Sequence, residues 1–397
     1  MRAALFTEVG RPLDVVDDID IQGPGMRAAL FTEVGRPLDV VDDIDLQGPG
    51  IGQVRVRVAA CGVCHSDLSL VQGHIPLPGP TIPGHEAAGE VVELGPGVDS
   101  LAVGDHVVLS PNPACGRCEY CRRGEPSVCT GSISIAMPMF PDGTTHLSRP
   151  VGSGAGGRSD VVYRGLGLGA WAEEVIIAAS GAVAIPVDVP LDVACVIGCA
   201  VQTGVGAAIN TAAVQPGDHV LVMGAGGIGI SIVQGAAIAG AARIVVSDPS
   251  GSRRELAMRF GATDVIDPDE TDVVGRTMEI TGIGADVALD AVGSATLVEA
   301  GLQAVRSRGT VVMVGAPPPE QDASVNVALT MFTEKRLVGS LLGSCHAPRD
   351  VPRLVDLWQS GRLDLDAMIT ARRPLTEVNE ALDDLAAGRG LRTVLVP

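Results

Sequence analysis

The sequence predicts two fold classes in one chain, an all-β part up to about residue 200 and a parallel α/β part beyond it. Three observations carry this. Between Gly84 and Leu109, short strand-like runs (residues 90–94 and 106–109) alternate with tight turns such as Gly95-Pro96-Gly97, the texture of antiparallel sheet. After about residue 200, strands alternate with helical runs, the pattern of a parallel sheet covered by helices. The first of those strands, around Val220-Leu221-Val222, runs into Gly224-Ala225-Gly226-Gly227-Ile228-Gly229 and an Ala/Ile-rich helix, a glycine spacing that belongs at a strand-to-helix turn.

Composition bounds the function. With 397 residues the chain suits two or three domains and a well-buried core. A formal net charge of −19 and a pI near 4.7 argue against nucleic acid and anionic membrane as partners. Hydrophobic residues make up 46%, yet no apolar run reaches the ~20 residues of a spanning helix. The opening Met1-Arg2-Ala3-Ala4-Leu5-Phe6-Thr7-Glu8 lacks the apolar segment of a signal peptide. Nine cysteines, several at metal-ligand spacing, fit a reducing compartment better than a disulfide scaffold. The expectation is a soluble, cytoplasmic protein acting on a small molecule.

Taken in order, the chain opens on a duplication. Residues 1–25 and 26–50 are the same sequence except that Ile21 is replaced by Leu46. Two near-identical copies are too few for a solenoid. The second copy runs directly into the strand that follows, so residues 1–25 are expected to lie outside the fold, with Met26 as the functional start. The first copy is expected to be unpaired or to compete for the second copy's place in a sheet.

The alternating run Val54-Arg55-Val56-Arg57-Val58 reads as a strand, and the turn after it carries Cys64-His65-Ser66-Asp67. Gly84-His85-Glu86 offers a second imidazole and carboxylate, and Gly198-Cys199 a further thiol. Cys64, His85 and Cys199 make a Cys₂His set, which is three-ligand zinc chemistry with a fourth position open. Cys115, Cys118, Cys121 and Cys129 are spaced C-x₂-C-x₂-C-x₇-C. Four thiolates close a tetrahedron around Zn²⁺ and leave no open position, so this lobe reads as a structural clip, with iron–sulfur ligation as the rival. Residues 130–170 carry no readable signature. Gly152-Ser153-Gly154-Ala155-Gly156-Gly157 reads as a flexible loop, and His146 as a solvated loop residue. A strand at residues 174–178 and an apolar, helix-like stretch around Cys199 follow.

In the α/β part, the glycines Gly224, Gly226, Gly227 and Gly229 permit a tight turn and close backbone approach to a dinucleotide pyrophosphate at the helix N-terminus. The next strand ends in Asp248, about twenty residues on. That carboxylate suits both adenosine ribose hydroxyls and repels a 2′-phosphate, which favours NAD over NADP. Further strands are expected at residues 287–292, 310–314 and 336–340, and the chain closes on Arg392-Thr393-Val394-Leu395-Val396.

With these motifs in their order, residues 26–397 resemble the zinc-dependent medium-chain alcohol dehydrogenases. The resemblance implies a GroES-like catalytic domain over residues 26–200 and 342–397, with the structural zinc lobe at 115–129. An inserted Rossmann coenzyme domain, a doubly wound parallel sheet, would cover 201–341. It implies two zinc ions per chain, NAD, a homodimer or homotetramer built through the coenzyme domains, and reversible oxidation of an alcohol to an aldehyde or ketone. In the family's terms Ser66 passes on the alcohol's proton, Asp67 orients His85, and Glu86 sits behind the metal. His65, Arg253 and Arg392 match positions that contact the coenzyme, and the spacing selects Cys64 rather than Cys61. Relatives often carry a histidine where this chain has Ser69, so the end of the proton path departs from the pattern. Cys61, Cys195 and Cys345 are left as free thiols.

The substrate stays open among three readings: an aryl, allylic or other primary alcohol; a thiol adduct of formaldehyde; and a dehydrogenase whose tightly bound NAD is re-oxidised by an external carrier. A non-catalytic zinc and nucleotide-binding protein is the alternative outside the class.

Overall fold

The computed structural model describes residues 25–131, 137–151, 158–318 and 320–397, together with the backbone of 3–5 and 14–16. Two sheets dominate. In the first, strands Ala182–Ile185, His106–Leu109, Glu86–Leu94, Gln53–Gly62, Arg392–Val396 and Ile369–Pro374 lie side by side, and Glu174–Ala178 also pairs with Gln53–Gly62. Its pairings are antiparallel except the last, which is parallel. The alternation legible in the sequence is realised: Val54, Val56 and Val58 are buried while Arg57 is exposed on the other face.

The second sheet has six parallel strands in the order Asp264–Ile266, Arg243–Ser247, His219–Met223, Ala285–Asp290, Val305–Met313 and Arg336–Gly339. Val220, Leu221, Val222 and Met223 are all buried, as expected of a strand covered on both faces. The strand order reverses between His219–Met223 and Ala285–Asp290. In such sheets ligands bind beyond the carboxyl ends of the strands at that switch point, which is where the glycine-rich turn lies. Helix Gly227–Ala239 follows and ends at Gly240, whose φ of 89° forms a left-handed cap.

Two corrections come from the strands. The run expected at residues 287–292 is Ala285–Asp290. It stops there because the buried Asp290 carboxylate accepts from the backbone N–H groups of Val292, Gly293 and Ser294 at 2.9, 3.1 and 2.9 Å, turning the chain away. The first copy of the duplication is not unpaired: Ala3–Leu5 pairs with Asp14–Val16. Its register, Ala3↔Val16 to Leu5↔Asp14, is the one that Ala28↔Val41 to Leu30↔Asp39 repeat in the second copy. The second copy is seated in the body of the protein. Ala29 N–H donates to Trp171 O at 2.9 Å, Phe31 and Thr81 exchange backbone bonds, and Leu38 exchanges two with the Asn379 side chain.

The stretch Gly152–Gly157 read as a loop lies outside the described residues. Among the described residues no single helix is long and apolar enough to cross a membrane.

Candidate metal centre and coenzyme cleft

Strand Gln53–Gly62 delivers the chain to a turn at Val63, whose N–H is tied to Thr393 O at 2.9 Å. Cys64 then caps helix His65–Val71 with extended backbone, φ −114° and ψ 157°. Asp67, in the first helical turn, is fully buried. Its Oδ2 accepts from Cys64 N–H at 3.2 Å; its Oδ1 accepts from Gly84 N–H at 2.9 Å and faces His85 Nδ1 at 3.1 Å. One carboxylate thus holds both ligand turns together. With Nδ1 occupied as a donor, Nε2 is left as the acceptor of His85, and it is buried without a hydrogen-bond partner.

Cys199 supplies the third donor from between the 3₁₀ turn Cys195–Gly198 and helix Ala200–Gly206. The close packing requires Gly198, where a Cβ would lie 2.7 Å from Leu109 O. The ligand atoms of Cys64, His85 and Cys199 lie within 4.8 Å of one another, and all three residues are buried. A hydrogen bond from the Cys199 thiol holds Cys64 well below the usual thiol range. Two soft sulfurs and an imidazole nitrogen whose lone pair has no partner fit a zinc ion with one position left open.

Glu86 is buried behind this group. Its Oε2 accepts from Ala200 N–H at 3.1 Å and its Oε1 lies 3.4 Å from Arg392 Nε. Burial pushes the carboxyl up to about 7 against the pull of Arg392. Arg392 also donates to Val63 O at 2.7 Å. Its guanidinium packs over Gly227, where a Cβ would collide with it. The arginine therefore spans from the metal group to the glycine turn. Leu342 packs on Cys64 and Cys199 from a strained turn in which Leu342, Gly343 and Ser344 have φ of 47°, 69° and 51°. Two of these are not glycine, at a cost of roughly 1–2 kcal/mol each. Thr211 holds the turn through 2.8 Å bonds to Ser340 and Ser344.

A cleft of about 270 Å³ joins the metal group to the glycine turn. Cys64, His65, Ser66, Ser69 and His74 line one side, and Gly224, Gly226, Gly227, Asp248, Arg253 and Arg392 the other. Gly229 must be glycine, because a Cβ would overlap Gly224 O. Asp248 is buried, accepting from Ala225 N–H at 2.7 Å and Ser250 N–H at 2.8 Å. Arg253 reaches Gly388 O at 3.5 Å, and its Nε is buried without a hydrogen-bond partner.

The sulfurs of Cys115, Cys118, Cys121 and Cys129 also lie within 4.8 Å of one another. Cys115 N–H points at Cys129 Sγ and Cys118 N–H at Cys115 Sγ, at 3.3 and 3.4 Å, while the Cys121 N–H holds the Cys118 thiol down at about 5. Backbone donors facing four sulfurs suit a closed metal cage.

The site residues read from the sequence lie in the Cys64 group, along the cleft or in the four-cysteine cage, with Gly229 packed against Gly224 behind the cleft wall. Cys61 and Cys195 are buried thiols raised by desolvation, and Cys345 lies beside Asn210, outside the cleft. His146 is half-buried against the Phe140 ring rather than fully solvated. Three residues escaped the sequence reading. Thr203 has a buried hydroxyl without a partner one turn after Cys199. Leu342 reaches the metal group from a distant turn, and His74 lies in the cleft. No local motif marks them.

Comparison with known proteins agrees with this geometry. Residues 50–187 match the model of the alcohol dehydrogenase GroES-like domain and residues 227–360 that of the zinc-binding dehydrogenases. A Mycobacterium tuberculosis protein with the provisional name alcohol dehydrogenase D is 37% identical, with 99% of each chain covered. An S-(hydroxymethyl)glutathione dehydrogenase of Escherichia coli is 35% identical over the same shares. The crystal structure of benzyl alcohol dehydrogenase from Acinetobacter calcoaceticus superposes with a TM-score of 0.87 at 30% identity, covering 94% of this chain and 99% of that one.

Proposed function

Because the chain belongs to the zinc-dependent medium-chain alcohol dehydrogenases, we propose that it oxidises a primary alcohol, aryl or allylic by preference, to the aldehyde with NAD, reversibly. The observation that carries this reading is the single cleft shared by Cys64, Ser66 and the glycine turn. When bound, zinc at Cys64, His85 and Cys199 supplies a Lewis acid that eases loss of the alcohol's proton, and NAD supplies the hydride acceptor. The protein does the positioning. Asp67 fixes the His85 tautomer and ring angle. Gly226 and Gly227 let the backbone approach the pyrophosphate, with Arg253, Arg392 and His65 beside it. Asp248 accepts from the ribose hydroxyls and opposes a 2′-phosphate. Ser66 receives the alcohol's proton, and Glu86 balances Arg392 behind the metal group. A second zinc at Cys115, Cys118, Cys121 and Cys129 clips the lobe.

A second reading, oxidation of a thiol adduct of formaldehyde, is favoured by the Escherichia coli relative and by the stretch Ala207-Ala208-Ile209-Asn210-Thr211. Assembly is proposed as a homodimer through the coenzyme part. Val327, Leu329, Met331 and Phe332 of helix Val327–Thr333 are exposed beside the edge strand Arg336–Gly339.

The test is NADH formation with NAD and with NADP across benzylic, allylic and aliphatic alcohols, plus formaldehyde with low-molecular-weight thiols. Turnover of benzylic or allylic alcohols with NAD is expected, abolished by Cys64→Ala while NAD binding persists. Turnover confined to formaldehyde with a thiol would move the substrate to the second reading. Silence from protein that holds zinc and NAD would overturn the exchangeable-coenzyme reading, and reduction of an added artificial electron acceptor would then identify trapped NAD.

A further inference from the structure

We propose that His74 is the terminal acceptor of the proton released in alcohol oxidation, reached through Ser66 and Ser69 along the helix that begins at the metal-ligand turn. The proposal rests on the reading above. In that reaction the carbinol hydrogen leaves with its electron pair to the nicotinamide, the carbonyl forms, and the hydroxyl proton must pass to a base. The metal group is buried, so the proton needs a route out.

One face of helix His65–Val71 supplies it. Ser66 and Ser69 are three residues apart, hence neighbours on one face, and both are half-buried against the cleft. After Val71 the chain reverses at Gly73, φ 80°. His74 N–H then donates to Ser69 O at 2.8 Å and Ile75 N–H to the same carbonyl at 3.2 Å. This folds His74 back beside Ser69, where it lines the same cleft and is exposed. The series Cys64, Ser66, Ser69, His74 thus runs from the buried centre to solvent. A hydroxyl donates and accepts at once, and Cβ atoms at this helical spacing, about 5–6 Å apart, leave room for a bridging water.

The other titratable or charged groups lining the cleft serve less well. Asp248 holds the N–H groups of Ala225 and Ser250 and, in the reading above, faces the adenosine ribose. Arg253 and Arg392 carry no acceptor. Cys64 belongs to the metal group, and at His65 burial, aided by Arg253 and Arg392 against the pull of Cys64, disfavours the protonated ring. An imidazole is the side chain whose charge changes near neutrality, and His74 offers one at the mouth.

The experiment compares wild type with His74→Gln and Ser69→Ala, both zinc-loaded and checked for unchanged melting. Wild type is expected to show an acid-side limb in kcat. His74→Gln should lose that limb, with kcat lower by roughly 100-fold or more, KM unchanged, and rescue by added imidazole. Apart from turnover, mixing the enzyme–NAD complex with trifluoroethanol in indicator dye should release a proton more slowly in both variants. A His74→Gln enzyme that keeps the limb, the rate and the proton transient would overturn the assignment while leaving the alcohol dehydrogenase reading intact. A wild type that holds zinc and NAD but oxidises no alcohol would overturn both.

Discussion

Asp67 offers the sharpest test of how the ligand turns are held. Its two oxygens serve three hydrogens: Cys64 N–H, Gly84 N–H and the Nδ1–H of His85, at 3.2, 2.9 and 3.1 Å. In Asp67→Asn the remaining oxygen can stay with Gly84 and His85. The new amide group then faces Cys64 N–H, donor against donor, at a site closed to water. The loss is one hydrogen bond to a charged acceptor, worth about 1.5–3 kcal/mol, with a buried N–H left unmade. A net destabilisation of about 3 kcal/mol is expected, read as a lower midpoint in urea unfolding of the zinc-loaded protein. Because the same carboxylate orients His85, zinc affinity should fall roughly 10- to 100-fold in competition with a chelator. Asp67→Ala, which removes all three bonds, should lose more on both measures. An Asn variant with wild-type zinc affinity and an unchanged midpoint would refute the claim that this carboxylate sets the geometry of both turns.

Other expectations are open to simpler measurements. A chain starting at Met26 should keep its melting temperature and activity, since the hydrogen bonds seating the N-terminal hairpin are made by Ala29, Phe31 and Leu38; a loss of more than about 1 kcal/mol, a large effect for so small a change, would contradict this. Phe332→Glu should halve the mass seen by analytical ultracentrifugation, because Phe332 is 81% exposed and has no role in the described core. An unchanged mass would place the interface elsewhere. Asp350 accepts from His346 N–H and from Arg349, each at 2.8 Å. Burial alone would raise its carboxyl, but these donors outweigh it and hold the group below 3.8. Its contribution is therefore complete above the unfolded value and lost as pH falls through the depressed one. The stability gap between wild type and Asp350→Asn should be constant at neutral pH and close below about pH 4; a gap that persists there would show that shape rather than charge matters.

What could be read in advance was whatever chemistry is packed into short stretches. Cys64-His65-Ser66-Asp67, Gly84-His85-Glu86, the four cysteines and the glycine turn each declare themselves within a few residues, because ligand and turn geometry demand particular atoms at particular spacings. The parts that stayed hidden depend on distant packing. Nothing near Leu342 signals that its strained turn presses on Cys64 and Cys199. His74 follows a helix end with no motif of its own, and only the reversal at Gly73 brings it to the cleft. Strand limits erred for a similar reason: Asp290 ends its strand by collecting three backbone donors, which hydrophobic pattern does not record.

The pairing of Val394 with Gly62 and of Leu395 with Cys61 orders events in time. A ribosome has made more than three hundred further residues before the strand Arg392–Val396 exists. The Cys61–Gly62 end of the partner strand must therefore wait with its edge open, since Glu174–Ala178 covers only residues 53–57 of that edge. Arg392 arrives on that same strand and meets Glu86 and Gly227 only then. Closing contacts so far apart in sequence is slow, and the waiting edge is exposed to other chains meanwhile. Completion of the fold and completion of the cleft beside the glycine turn thus become one event, and a prematurely terminated chain would lack both.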